Sequence, residues 1–110
     1  MSPNVEYFAR YEAIVAITGR MLLAARHALW SELIGLEDEY RQLVDGLKDA
    51  EIGVLLNAEE RLRKYELIRR ILADDAAIRD LASPGMARLS ALLAGTSQSA
   101  RILQQLYRLG

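Results

Sequence analysis

An all-α bundle is the fold this chain predicts, and three features carry the prediction. Apolar residues recur every three or four positions along most of the length, Leu, Ala, Arg and Glu dominate, and only 2 prolines interrupt the pattern. The periodicity resolves into an antiparallel helical hairpin, a long third helix and a short mobile C-terminal fourth helix, four-helix-bundle-like in arrangement. With 110 residues there is material for one core. A three-helix core domain is expected over residues 1–95, with a short regulatory helix over 96–110 packed on the same domain.

The first helix is expected over about 4–27, capped by Ser2 or Asn4, with Pro3 in a first turn where its missing amide costs nothing. Phe8, Val15, Leu22 and Ala25 form one stripe and Tyr11, Ile14, Ile17 and Met21 a second beside it, so the buried face is broad. No Gly or Pro separates this helix from the next. A tight turn near Ala28 is nevertheless favoured over one continuous helix, because folding back lets two broad apolar faces cover each other. Gly19 and Gly35 would then allow the two backbones to approach closely.

The second helix is expected from Trp30 to about Lys48. Trp30, Leu33, Tyr40, Val44 and Leu47 lie on its dry side, and Glu32, Asp38, Glu39, Arg41, Gln42 and Asp45 on its wet side. Glu37 falls on the apolar stripe, where a buried carboxylate requires an arginine or a tyrosine hydroxyl. The following connection carries Ile52, Val54, Leu55 and Leu56, which are expected to tuck under the bundle.

Asn57-Ala58-Glu59-Glu60 reads as a capping box that opens a third helix running to about Ala82. The pairs Glu59 with Arg63, Glu60 with Lys64, Glu66 with Arg70 and Asp75 with Arg79 predict a solvated, ion-paired flank. Ser83-Pro84-Gly85 predicts a kink or break, and Met86 to Ala94 resumes a helical pattern that Gly95 ends. Thr96 or Ser97 then caps a last helix over about 98–109, bearing Ile102, Leu103, Leu106 and Tyr107. Helices of that length are marginal in water, so behind a Gly95-Thr96-Ser97 hinge its docking is expected to be the weakest in the fold.

Charge and chemistry narrow the function. With 14 basic and 15 acidic side chains there is no positive field to draw a phosphate backbone. The basic group Arg61, Arg63, Lys64, Arg69 and Arg70 is interleaved with acids and lacks an aromatic platform, which makes it a helix face and argues against direct nucleic-acid binding. A basic, apolar secretory leader is absent from the opening residues, and charges interrupt every apolar run, so a cytoplasmic protein without membrane insertion is expected. The single His27 and the lack of cysteine give no nucleophile–base pair and no thiolate metal set, and neither an enzyme nor a cofactor is expected.

The spacing Trp30, Leu33, Glu37, Tyr40 resembles the flagellar export chaperone FliT family. So does Leu89-Ser90-Ala91-Leu92 followed by Gly95, the stretch Thr96-Ser97-Gln98-Ser99, and then Leu103 and Tyr107. The Ser83-Pro84-Gly85 interruption departs from the continuous third helix associated with that family. The resemblance implies a non-enzymatic cytosolic chaperone that holds the C-terminal part of the filament-cap protein FliD before type III export. It also implies contacts with the export ATPase complex, the export gate and, in some bacteria, the regulator FlhDC. Ile102, Leu103, Leu106 and Tyr107 would form the self-covering helix; from their neighbouring apolar stripes, Leu36, Tyr40, Leu43, Leu67 and Ile71 are expected to line the partner groove. The alternative is a helical homodimeric adaptor or regulator with no export role.

Overall fold

The computed structural model describes residues 4–82 and 94–109, with side chains described from residue 98 to 108 in the second stretch. These residues form α1 (Val5–Arg26), α2 (Trp30–Ala50), α3 (Ala58–Leu81) and α4 (Ala94–Leu109). Helix α1 packs against α2 and α3, and α4 packs against the same two helices from the other side. The cross-section is therefore a square with α1 and α4 on one diagonal and α2 and α3 on the other. The core is drawn from all four: Tyr11, Ile14 and Met21; Leu33, Tyr40, Val44 and Leu47; Ile68, Ile71 and Ile78; and Leu103.

The turn between α1 and α2 falls where the sequence puts it. Ala28 has φ 54°, the Ala28 amide donates to the Ala25 carbonyl at 3.1 Å, and the Leu29 amide donates to the Ala24 carbonyl at 2.8 Å. That pair of bonds is a Schellman closure, with Ala28 in the left-handed position that glycine usually fills. It explains how a helix with no Gly or Pro ends sharply: the gain is a broad apolar face folded against α2. The exposed His27 is the α1 C-cap, a turn residue as its position in the sequence implied. Gly19 and Gly35 do not mediate a close approach, since a Cβ at either would meet nothing within 4 Å.

The capping box is present, with Glu60 N–H donating to Asn57 Oδ1 at 2.8 Å and Asn57 N–H donating to Glu60 Oε1 at 3.1 Å. Asn4 occupies the α1 N-cap position without a side-chain capping bond; its amide instead donates to the Leu55 carbonyl at 3.2 Å and to Glu60 Oε2 at 2.9 Å. It ties the start of α1 to the α2–α3 connection. That connection splits: Val54 and Leu56 pack on the core, while Ile52 and Leu55 are 79% and 88% exposed.

Two expectations change. Helix α4 begins at Ala94 and has 16 residues, so Gly95, Thr96 and Ser97 are helical and do not form a hinge before residue 98. Helix propensity is worth about 1 kcal/mol at most per residue, so a helix docked farther along can extend through weak formers. The α3 flank is not a row of local ion pairs. Asp75 and Arg79 pair at 3.4 Å, but Arg63 reaches Glu12 of α1 at 3.0 Å and lies 4.4 Å over the Phe8 ring, and Lys64 is buried. The kink or break expected at Ser83-Pro84-Gly85 and the helical stretch from Met86 lie outside the described residues.

Because Ala28 bears a Cβ in a left-handed conformation that disfavours one by roughly 1–2 kcal/mol, Ala28→Gly should stabilise the bundle. About 1 kcal/mol is expected, offset in part by the looser unfolded chain. Chemical denaturation should show a higher midpoint with an unchanged slope.

Candidate partner-binding site

The face of the bundle that α4 covers is set by the rotational phase of α2 and α3. On α2, Gly46 faces α1, where an added Cβ would lie 3.7 Å from the Arg10 guanidinium. Leu43 and Leu36 lie three and ten residues earlier and share that side of the helix. On the opposite flank, Arg41 and Asp45 line a small cavity with Gln98, Ser99 and Ile102 of α4. Glu37, Arg41 and Val44 follow that second flank at helical spacing.

The same division runs along α3. Glu60 and Arg63 reach Asn4 and Glu12 of α1, and Leu67 and Ile71 continue their stripe. Tyr65 stacks on Tyr107 of α4 with ring centroids 4.8 Å apart at 56°, and Arg61, Ile68 and Leu72 continue its stripe. Of the residues assigned to a groove from sequence, Tyr40 and Ile71 are fully buried in the core, while Leu36, Leu43 and Leu67 share by helical phase the flanks of Gly46 and Arg63 that face α1. Glu37, Val44, Tyr65, Ile68 and Leu72 fall by helical phase on the α4 flank; periodicity marks the last four as apolar stripe residues without assigning them to a groove, because both flanks of each helix carry an apolar stripe. Glu37 gave one available signal, an acid on a dry stripe.

On α4, Ala100, Leu103 and Leu106 are buried, and Ile102 and Tyr107 are half-buried against the core. Gln98, Arg101, Gln104, Gln105 and Arg108 are exposed. The helix therefore seats one apolar stripe between α2 and α3, in line with its sequence pattern. Each buried leucine there contributes roughly 1.5–3 kcal/mol.

The floor of the seat is polar at one level. Tyr40 is fully buried and its hydroxyl donates to Asp75 Oδ2 at 3.1 Å. Asp75, 1% exposed, faces Arg79 Nε through its other oxygen at 3.4 Å. Glu37, 6% exposed, has Arg41 at 4.0 Å from Oε2, but that arginine also pairs with Asp38, and Glu37 Oε1 accepts no hydrogen bond. The arginine expected for Glu37 is thus present but shared, and the expected tyrosine hydroxyl serves Asp75 instead. Burial pushes both carboxyls above their ordinary range, opposed by Arg41 for Glu37 and by Arg79 for Asp75.

At the other end of the seat Glu51 accepts from Tyr7 at 2.8 Å and Tyr11 at 2.5 Å, and Lys64 lies 3.4 Å from its second oxygen. Burial pushes the Tyr7, Tyr11 and Tyr40 hydroxyls up, so all three stay protonated donors. Among the described residues, no group of three or more His, Cys, Asp or Glu is placed to hold a metal ion, and no helix is long and apolar enough to cross a membrane.

An acid whose folded pKa is raised binds its proton more tightly in the folded than in the unfolded chain, so its contribution to stability is greatest below the ordinary carboxylate value. That contribution falls as pH rises through the raised folded value. Glu37 and Asp75 should therefore make the bundle lose stability as pH rises above the ordinary carboxylate range. Glu60, held low by bonds from Asn4 and Asn57, acts in the opposite sense and loses its contribution as pH falls further. Thermal midpoints across this range should rise on mild acidification, and the double substitution Glu37→Gln with Asp75→Asn should flatten the rise.

A family model described as flagellar protein FliT matches residues 8–107. Comparison with curated proteins and with solved structures found no match. The matched span takes in α2 and α3 whole, nearly all of α1 and α4, and every motif residue from Trp30 to Tyr107. The chain belongs to the FliT family of flagellar export chaperones.

Proposed function

We propose that this protein is a cytoplasmic type III export chaperone that binds the filament-cap protein FliD, and that α4 competes with the cap protein for the seat between α2 and α3. The supporting observation is that α4 is held by one apolar stripe, Ala100, Leu103 and Leu106, flanked by Ile102 and Tyr107 and carrying a polar outer face. Such a seat is of the kind that an amphipathic helix with anchors at matching spacing occupies. The receptor walls under this reading are Tyr40 with Val44 on α2, and Tyr65, Ile68 and Leu72 on α3. The groove chosen from sequence, Leu36, Tyr40, Leu43, Leu67 and Ile71, remains part of the proposal through Tyr40 at its centre.

A covering helix lowers the apparent affinity for a partner by the fraction of molecules in which it is open. By the same family reading, the cap-protein complex then meets the export ATPase complex and the export gate, and in some bacteria the uncovered protein engages FlhDC.

Leu103→Ala removes a fully buried anchor from α4 and should weaken its docking by about 2–5 kcal/mol. Calorimetric titration with cap protein should then show tighter binding, by about tenfold or more where the closed form dominates. Deletion of residues 96–110 should tighten it at least as much. Unchanged or weaker binding in both variants would refute self-competition, and an unaltered chain that fails to bind cap protein would refute the assignment of that partner.

A further inference from the structure

Among the described residues, the buried side-chain oxygens that accept no hydrogen bond are Glu37 Oε1 and Asp75 Oδ1. They are not equivalent. Asp75 has Arg79 Nε 3.4 Å from that oxygen and the Tyr40 hydroxyl on the other. Glu37 has a distant, half-exposed arginine on one oxygen and nothing on the second, although the residue is 6% exposed. A carboxylate at that depth whose one described arginine is distant and shared with Asp38 costs free energy in the α4-docked form.

Its location says what would relieve that cost. Glu37 lies one turn before Arg41 on the flank facing α4, and Arg41 lies opposite Ser99. Helices α2 and α4 run parallel, since Arg41 is level with Ser99 and Glu51 with Leu106. Glu37 is therefore level with the first turn of α4, whose sequence Ala94-Gly95-Thr96-Ser97 contains no cation. The next cation along α4, Arg101, is exposed. Asp75 adds a second negative charge to the same floor, and its field reaches Glu37.

We propose that Glu37 is the acidic recognition point of the seat: it takes a lysine or arginine that the incoming partner helix carries about two turns before its first buried leucine. This rests on the reading that a partner helix replaces α4, and it adds the chemistry by which the seat distinguishes one amphipathic helix from another. Helix α4 fits the apolar half of the seat and, among the described residues, offers the acidic half no cation. A partner with the cation fits both, so the covering helix yields to it and not to an arbitrary apolar helix.

The test uses the full chain and full-length cap protein, with Glu37→Gln and, as control, Glu39→Gln, which removes the same charge from an exposed position of α2. Glu37→Gln should weaken cap-protein binding tenfold or more, as expected for loss of a charge-assisted bond to a buried acid, and Glu39→Gln should leave it within twofold. In the unliganded chain, Glu37→Gln should slow amide exchange across residues 99–107, because the docked form no longer holds a poorly compensated carboxylate. Lys or Arg→Met substitutions in the cap protein's binding segment leave the fold of this chain untouched: one of them should reproduce the loss and add nothing to it in combination with Glu37→Gln. Binding that Glu37→Gln leaves within twofold, or a cap-protein scan with no such cation, overturns the proposal while leaving the partner assignment standing. Absence of any binding by the unaltered chain overturns both.

Discussion

The hydrogen bond from Tyr40 to Asp75 is the constraint on which the rest of the architecture depends. It spans the diagonal of the square, from α2 to α3, at 3.1 Å and wholly out of solvent. Without it Asp75 would keep one arginine and lose its only described hydrogen-bond donor, leaving a buried charge poorly compensated. Burial keeps the Tyr40 hydroxyl protonated, so the strut is a fixed donor aimed at a fixed acceptor. It sets the spacing of α2 and α3, and that spacing is the width of the seat on one side and of the α1 contact on the other.

A second polar knot closes the far end. Glu51 sits just beyond α2 and gathers Tyr7 and Tyr11 from α1 and Lys64 from α3, so the α2–α3 connection is tied to two helices at once. Beside it a cavity of about 350 Å³ is lined by Val54, Leu56 and Lys64 together with Leu106 of α4. Helices α1, α2 and α3 are thus joined by directional bonds with specific partners. Described contacts of α4 with the seat are apolar packing and one aromatic pair. Apolar burial is not directional and scales with area, so an element held that way is exchangeable for another of similar shape. The proposed division into a three-helix receptor and a replaceable fourth helix rests on this difference in the kind of force at each contact.

Much of this was legible in the chain. The capping box at Asn57 and Glu60 is a local device whose bonds are fixed by four consecutive residues, and it forms as read. The turn at Ala28 was legible from the need of two broad apolar faces to meet, even with no local turn signal. What local rules misjudged was set by distant partners. Lys64 and Asp75 looked like members of solvated i,i+4 pairs, but their side of α3 meets Glu51 and Tyr40, which lie 13 and 35 residues away in the chain. Gly95, Thr96 and Ser97 have weak intrinsic helicity, and tertiary docking overrides it. The choice between the two flanks of α2 was not legible at all. Leu36 with Leu43 and Glu37 with Val44 are both good stripes, and only the positions of α1 and α4 decide which faces which.

Glu37 joins these arguments. A helix optimised only for bundle stability would place an apolar side chain there, since replacing buried ionic groups by apolar ones is often neutral or stabilising. The chain instead places an acid on the dry stripe, opposite a segment without a cation, and gives it an arginine already engaged by Asp38. Asp75, at the same level, is compensated from two sides, so the floor as a whole is not indifferent to charge. In the proposed mechanism the covered form carries its least compensated carboxyl at one level of the seat, while Ala100, Leu103 and Leu106 farther along α4 are buried. A defect so placed lowers the stability of self-covering without loosening the receptor, which is the combination a chaperone requires if its own helix is to be displaced by a helix of matching chemistry.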